Sequence, residues 1–285
     1  MGGRSSPTIG RRQLAGELRR LRTAAKMTRE DVAEQLDCAP ATVTKFENAT
    51  AAVSVATVAM LMEIYGVAGP ARDDMLKLAR EARQRGWWHQ YSRAIPAWFS
   101  VYVGLEEAAS EISSWHPEVL DGRLQTESYM RALISAELPV PDASEIDRRV
   151  AVRLKRQERL HESEPLSLWV VIGEAALRRL VGGPETMREQ LEHLVQQSLL
   201  NNVTIQVLPY KTGAYPGMHG GFHLLRFPEA TGDAIVYVEY QQGSIYLEKK
   251  PDVASYDRLF DHLVARALGP DESRAMITQV AEEYS

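Results

Sequence analysis

The chain has 285 residues, 33 basic and 38 acidic side chains, a formal net charge of −5, 45% hydrophobic residues and one cysteine. That length exceeds one ordinary domain and that apolar content can bury a core, so two folded units are expected. No stretch approaches the roughly 20 apolar residues of a membrane-spanning helix, and Cys38 alone can form neither an intramolecular disulfide nor a thiolate zinc cluster; a cytoplasmic protein is expected.

Residues 1–9 are expected to be a disordered leader, and residues 10–85 a unit of five short helices. The first carries Leu14, Leu18, Leu21 and Ala25 at helical spacing. Thr28 starts the second with Thr28-Arg29-Glu30-Asp31, a capping-box pattern with Asp31 in the place of the usual Glu or Gln, and Val32, Ala33 and Leu36 form its inner face. Pro40 opens the third, which runs to Glu47 with Val43 and Phe46 inward. Ser54 caps the fourth, which ends near Gly66, and Pro70 opens the fifth.

Residues 86–165 read as a helical linker or dimerisation region, with helices over 97–114, after Thr126 and after Asp142. Within it, Arg148, Arg149, Arg153, Lys155, Arg156 and Arg159 make one helix basic: a solvated face, an extension of a DNA footprint, or a dock for an acidic partner. From 166 to 285 the period changes. Strands are expected at 168–172, 203–208, 222–227, 234–240 and 244–248, with a turn at Gln242-Gly243 between the last two. Helices fall at 174–180, 185–199 and 253–268. The fold class is therefore an all-α N-terminal domain plus an α+β domain with a mixed sheet of about five strands.

Charge separates the two halves. Residues 1–85 hold 14 basic and 10 acidic side chains, a net of +4, and the remainder carries −9. A basic N-terminus on an acidic body suits DNA at one end and a protein or small molecule at the other.

The run from Arg11 to Tyr65, with Thr28-Arg29-Glu30-Asp31-Val32-Ala33 opening one helix and Pro40-Ala41-Thr42-Val43-Thr44-Lys45-Phe46-Glu47-Asn48 forming the next, resembles the phage-repressor-like (XRE family) helix-turn-helix domains of bacterial regulators. The resemblance implies that the second of these helices enters the major groove of double-stranded DNA. It puts Thr28 and Arg29 at a phosphate, Pro40, Ala41 and Lys45 against bases with Thr42 and Thr44 flanking them, and Asn48 on the backbone. It also implies an ion pair between Arg22 and Glu47. Ala39 stands where the family usually has a Ser cap, and residues 49–53 are uncharged where relatives often carry Lys or Arg, so a shallower salt dependence is expected.

Farther on, Trp98-Phe99-Ser100-Val101-Tyr102-Val103-Gly104-Leu105-Glu106, Leu124-Gln125-Thr126-Glu127-Ser128-Tyr129, Leu168-Trp169-Val170-Val171-Ile172-Gly173-Glu174 and Asn202-Val203-Thr204-Ile205-Gln206-Val207-Leu208-Pro209 resemble the WhiJ-like regulators of actinobacteria, with their Scr1-type antitoxin-like C-terminal domain. This resemblance implies a transcription regulator working with a small protein encoded by a neighbouring gene. A homodimer is expected because paired half-sites need two-fold protein symmetry. The alternative is an antitoxin-like module that chiefly holds a small partner, with DNA contact secondary.

Catalysis is not expected, since no acid, base and nucleophile converge in the sequence. The closest histidines, His219 and His223, lie in a glycine-rich segment with no third ligand evident, so no metal or other cofactor is expected. That segment, with Tyr215, Met218, His219 and His223, is read as a loop between strands that could receive a partner or ligand.

Overall fold

The computed structural model describes residues 6–92, 94–228 and 233–284. Two compact units divide the chain, the first built on Met1–His89 and the second on Gln90–Pro228 and Asp233–Ser285.

The first unit contains α1 (Pro7–Ala24), α2 (Arg29–Gln35), α3 (Pro40–Glu47), α4 (Val55–Ile64) and α5 (Pro70–Ala82). Helix α1 begins earlier than expected: the Ser6 hydroxyl accepts from Ile9 N–H, and Pro7 loses nothing at the first helical position. Residues 7–9 of the expected leader are thus helical, and residues 1–5 lie outside the described residues. Leu14, Leu18, Val32, Ala33, Val43, Val58, Leu61, Met62 and Ala79 form one core, so every helix contributes an apolar stripe. Gly66, at φ 69°, ends α4 in the left-handed region that glycine enters without steric cost. Asp37 and Ala49 take the same region at φ 50° and 56°, bracketing α3 with two sharp turns.

The second unit comprises α6 (Ala97–Ala108), β1 (Glu111–His116), α7 (Glu127–Ser135), α8 (Ala143–Gln157), β2 (Ser167–Gly173), α9 (Glu174–Arg178), α10 (Pro184–Gln197), β3 (Val203–Leu208), β4 (Phe222–Arg226), β5 (Ile235–Tyr240), β6 (Gly243–Leu247), α11 (Lys250–Val264) and α12 (Pro270–Glu282). The sheet is mixed, in the order β3-β2-β1-β4-β5-β6, with β1, β2 and β3 parallel and β4, β5 and β6 antiparallel.

Several boundaries correct the expectations. The helix expected over 97–114 stops at Ala108, and β1 follows as a central strand, raising the count to six. The region 86–165 is therefore no separate linker, because it supplies that strand. Gly243 pairs with Tyr240, so the hairpin turn is Gln241-Gln242, one residue before the expected place. A further helix, α12, follows Gly269-Pro270, beyond the last helix expected at 253–268.

One sheet face packs Trp115, Phe222, Leu224 and Val236 under Phe260 and Leu263 of α11. The alternation of strand side chains sends Ser114, His116, His223 and Tyr237 to the opposite face, where Tyr102 of α6 meets them. The β3 edge is closed by the connection into α12: Leu268 N–H donates to Val207 C=O at 2.9 Å, and the Ser273 hydroxyl accepts from Val207 N–H at 2.9 Å. No helix among the described residues is long and apolar enough to cross a membrane.

Candidate nucleic-acid interface and a buried charge network

Helix α2 is fixed at its start by a reciprocal capping box, with Asp31 N–H donating to Thr28 Oγ1 at 3.1 Å and Thr28 N–H to Asp31 Oδ2 at 2.8 Å. Two residues after α2 ends the chain turns at Asp37 and enters α3, whose Ala39 provides no side-chain cap. Val43 is buried and Phe46 packs against the core, which turns Pro40, Ala41, Lys45 and Asn48 to solvent; Thr42 and Thr44 are half-buried. The Thr44 hydroxyl donates back to Pro40 C=O at 3.2 Å.

The base of α3 is clamped. Glu47, with its side chain 1% exposed, accepts from Arg22 at 2.5 and 3.2 Å and from Arg29 at 2.9 Å. Burial alone would push the Glu47 carboxyl up, but the hydrogen bonds from Arg22 and Arg29 outweigh it and hold the group below its usual range. Arg19 donates from Nη2 to Glu47 C=O at 2.8 Å and to Asn48 Oδ1 at 2.7 Å. Thus the implied Arg22–Glu47 pair forms, while Arg29 and Asn48 are also tied into the clamp. Arg19 escaped the sequence reading, although it stands one helical turn before Arg22.

The second unit encloses a denser network. Asp121, fully buried, accepts from Arg123 N–H and Nε at 2.8 Å each, from Arg123 Nη2, from the Ser114 hydroxyl at 3.2 Å, and lies 3.0 Å from His116 Nε2. Glu106, also buried, accepts from Arg156 at 2.7 and 2.9 Å and faces Arg123 Nη1 at 3.5 Å. Burial opposes ionisation of Asp121 and Glu106, yet the guanidiniums beside them keep both carboxyls below their usual range. The Arg156 guanidinium also lies over the rings of Phe99 and Tyr102, at 5.2 and 5.4 Å.

His223 closes the network. Tyr102 Oη is 3.1 Å and Arg123 Nη2 is 3.4 Å from its Nδ1; a guanidinium can only donate, so Nδ1 accepts and the imidazole is neutral. Burial, then His116 and Arg123, hold its pKa well below 6.5. A histidine depressed in the fold contributes stability above its unfolded pKa and loses it as pH falls toward the folded value. The stability of the second unit against urea is therefore expected to fall as pH drops below 6.5. His223→Gln, which keeps an acceptor for Tyr102, should flatten that fall between neutrality and pH about 5; an unchanged slope in the variant would refute the assignment.

Two family models match the chain. One, described as a helix-turn-helix domain, covers residues 13–75. The other, described as a domain of unknown function, DUF5753, covers residues 99–279, more than half of the chain. The chain belongs to the DUF5753 family. No curated protein and no solved structure matches it. The first unit is a helix-turn-helix domain, and the buried network lies within the DUF5753 segment.

That DUF5753 segment separates the four residues of the glycine-rich run. Tyr215 packs edge-on against Trp115 with ring centroids 5.4 Å apart, and Met218 and His219 are exposed. Gly217 anchors the loop, since its C=O accepts from Trp115 Nε1 at 2.9 Å and a Cβ there would meet Leu263 at 2.9 Å. His223 sits instead on the opposite sheet face, where its partners are His116 and Asp121 rather than His219.

Those three could hold a metal ion by distance, with donor atoms within 4.8 Å of one another. The charge argues against it: Arg123 already donates to both Asp121 oxygens and approaches His223, so a cation would have to enter beside a guanidinium. The basic helix also differs from a solvated face. Arg156 and Arg159 are buried, Arg149 pairs with Glu137, and Lys155 pairs with Glu158.

Proposed function

We propose that the protein is a sequence-specific, DNA-binding transcription regulator of the cytoplasm, acting as a homodimer and modulated through its DUF5753 segment by a small protein partner or ligand. The observation that carries the reading is the disposition of α3: Glu47 and three arginines fix its base, while Pro40, Ala41 and Lys45 project into solvent from its first two turns. A helix so held can enter a major groove with its N-terminal residues against base edges. Lys45 can donate to guanine, and Ala41 offers only a methyl contact to thymine. Resemblance to the WhiJ-like regulators and their Scr1-type domain supports the partner, and the dimer rests on the two-fold symmetry that paired half-sites require.

Enzyme chemistry has little to recommend it, since Ser114, whose hydroxyl donates to Asp121 beside His116, is fully buried. A second reading is favoured by the sparse donor set of α3: an antitoxin-like module that chiefly holds a small partner. Titrating the purified protein against the region upstream of its own gene, across a salt series and with and without the neighbouring small protein, separates the two. Specific binding should fall with salt and drop at least about tenfold in Lys45→Ala. Binding that is nonspecific under every condition would leave partner capture as the main activity.

A further inference from the structure

Helix α8 presents Arg149, Arg153 and Arg156 on one face at successive turns. The outer two are neutralised. Arg149 donates to both oxygens of Glu137 at 2.8 and 2.6 Å, and Arg156 to both oxygens of Glu106 at 2.7 and 2.9 Å. Arg153, between them, has a buried Nη1 that no acceptor among the described residues meets. Burial, Arg156 and Arg149 pull its guanidinium down to about 10, so it is still a cation at neutral pH, and Glu137 and Glu239 act on it only through space.

In the adjoining segment Arg123 Nη1 makes no hydrogen bond, although it faces Glu106 at 3.5 Å. The segment is tied to α8 by Gln157, one turn beyond Arg153, whose amide donates to Gly122 C=O at 3.3 Å and Gln125 C=O at 2.7 Å. A buried donor without an acceptor, on a cation with no contact counter-ion among the described residues, is costly unless something negative joins it.

We propose that Arg153 anchors an oxyanion site in the second unit, receiving the carboxylate or phosphate of a small effector. The planar guanidinium fork matches two oxygens of such a group, and the flanking arginines add positive potential while keeping their own carboxylates. The regulatory meaning of the site rests on the DNA-binding reading above; anion binding itself does not.

The test uses the full chain without DNA, titrated with inorganic phosphate and separately with acetate against chloride at matched ionic strength. At least one anion should give saturable heat by isothermal calorimetry and raise the Tm of the second unit by about 3 °C at ten times its Kd. Saturation by phosphate alone identifies a phosphate effector, and saturation by acetate a carboxylate. In Arg153→Met the shift should vanish while the Tm in chloride is unchanged or higher, because an uncompensated charge has gone. Arg153→Lys should respond more weakly than the parent, which keeps the comparison available if the Met variant does not fold. Absence of saturable heat with either anion, or a response unaffected by substitution at Arg153, overturns the site. Loss of operator binding in the same preparation would bear on the DNA-binding reading alone.

Discussion

Asp121→Ala is expected to destabilise the second unit by about 3–5 kcal/mol, a large part of a domain's usual stability of about 5–15 kcal/mol. The substitution strips Arg123 of three donations into one carboxylate and leaves a guanidinium with 0% exposure whose remaining neighbours are Glu106, at 3.5 Å, and the neutral His223, at 3.4 Å. Ser114 and His116 lose their shared acceptor at the same time. Replacing both members of a buried pair by apolar groups is often neutral, whereas removing one strands the other, so Asp121→Leu with Arg123→Met should recover much of the loss. Urea unfolding followed by tryptophan fluorescence, with Trp115 and Trp169 as reporters in this unit, measures both. A single-variant loss under about 1 kcal/mol would mean that the network is relaxed by solvent and adds little.

The second large effect concerns the helix-turn-helix domain. Glu47→Ala should cost about 2–3 kcal/mol and lower its Tm by roughly 10 °C. Arg22, with its side chain 14% exposed, carries most of this; Arg29, at 37%, is discounted for solvent screening. Operator affinity should fall by about tenfold or more, because α3 loses the clamp that aims Lys45, and one well-placed base contact is worth about 1–3 kcal/mol. Circular dichroism melts and fluorescence anisotropy on one preparation test the two arms. Full DNA affinity in a destabilised variant would show that α3 is positioned by its apolar face alone.

The helical unit was legible because its punctuation is local. Thr28, Pro40, Ser54, Gly66 and Pro70 act within a few residues, and the apolar stripes between them have one period. Strand β1 was hidden for the opposite reason. Trp98, Tyr102, Leu105, Ala109 and Ile112 continue a helical spacing across a real boundary, and a strand covered on both faces shows no alternation to break it. The buried network was invisible because its members lie far apart in sequence, and charged residues read singly as surface. Glu106, Asp121, Arg123 and Arg156 become interior only once the sheet brings β1 beside β4 and α8 folds over them. His219 drew attention to itself by proximity to His223, yet it closes the short turn Pro216–His219 before β4 begins and stays exposed, while His223 lies in the strand and faces the network.

The closure of β3 bears on how copies of this protein coexist at high concentration. An open parallel edge invites a strand from another chain, the first step toward cross-β stacking. Here the backbone of Leu268 and the hydroxyl of Ser273 occupy both bonding groups of Val207, the residue that would otherwise seed that growth. The C-terminal helix thus serves as a stopper on the sheet, and a protease that removed it would leave Val207 open as a template for aggregation.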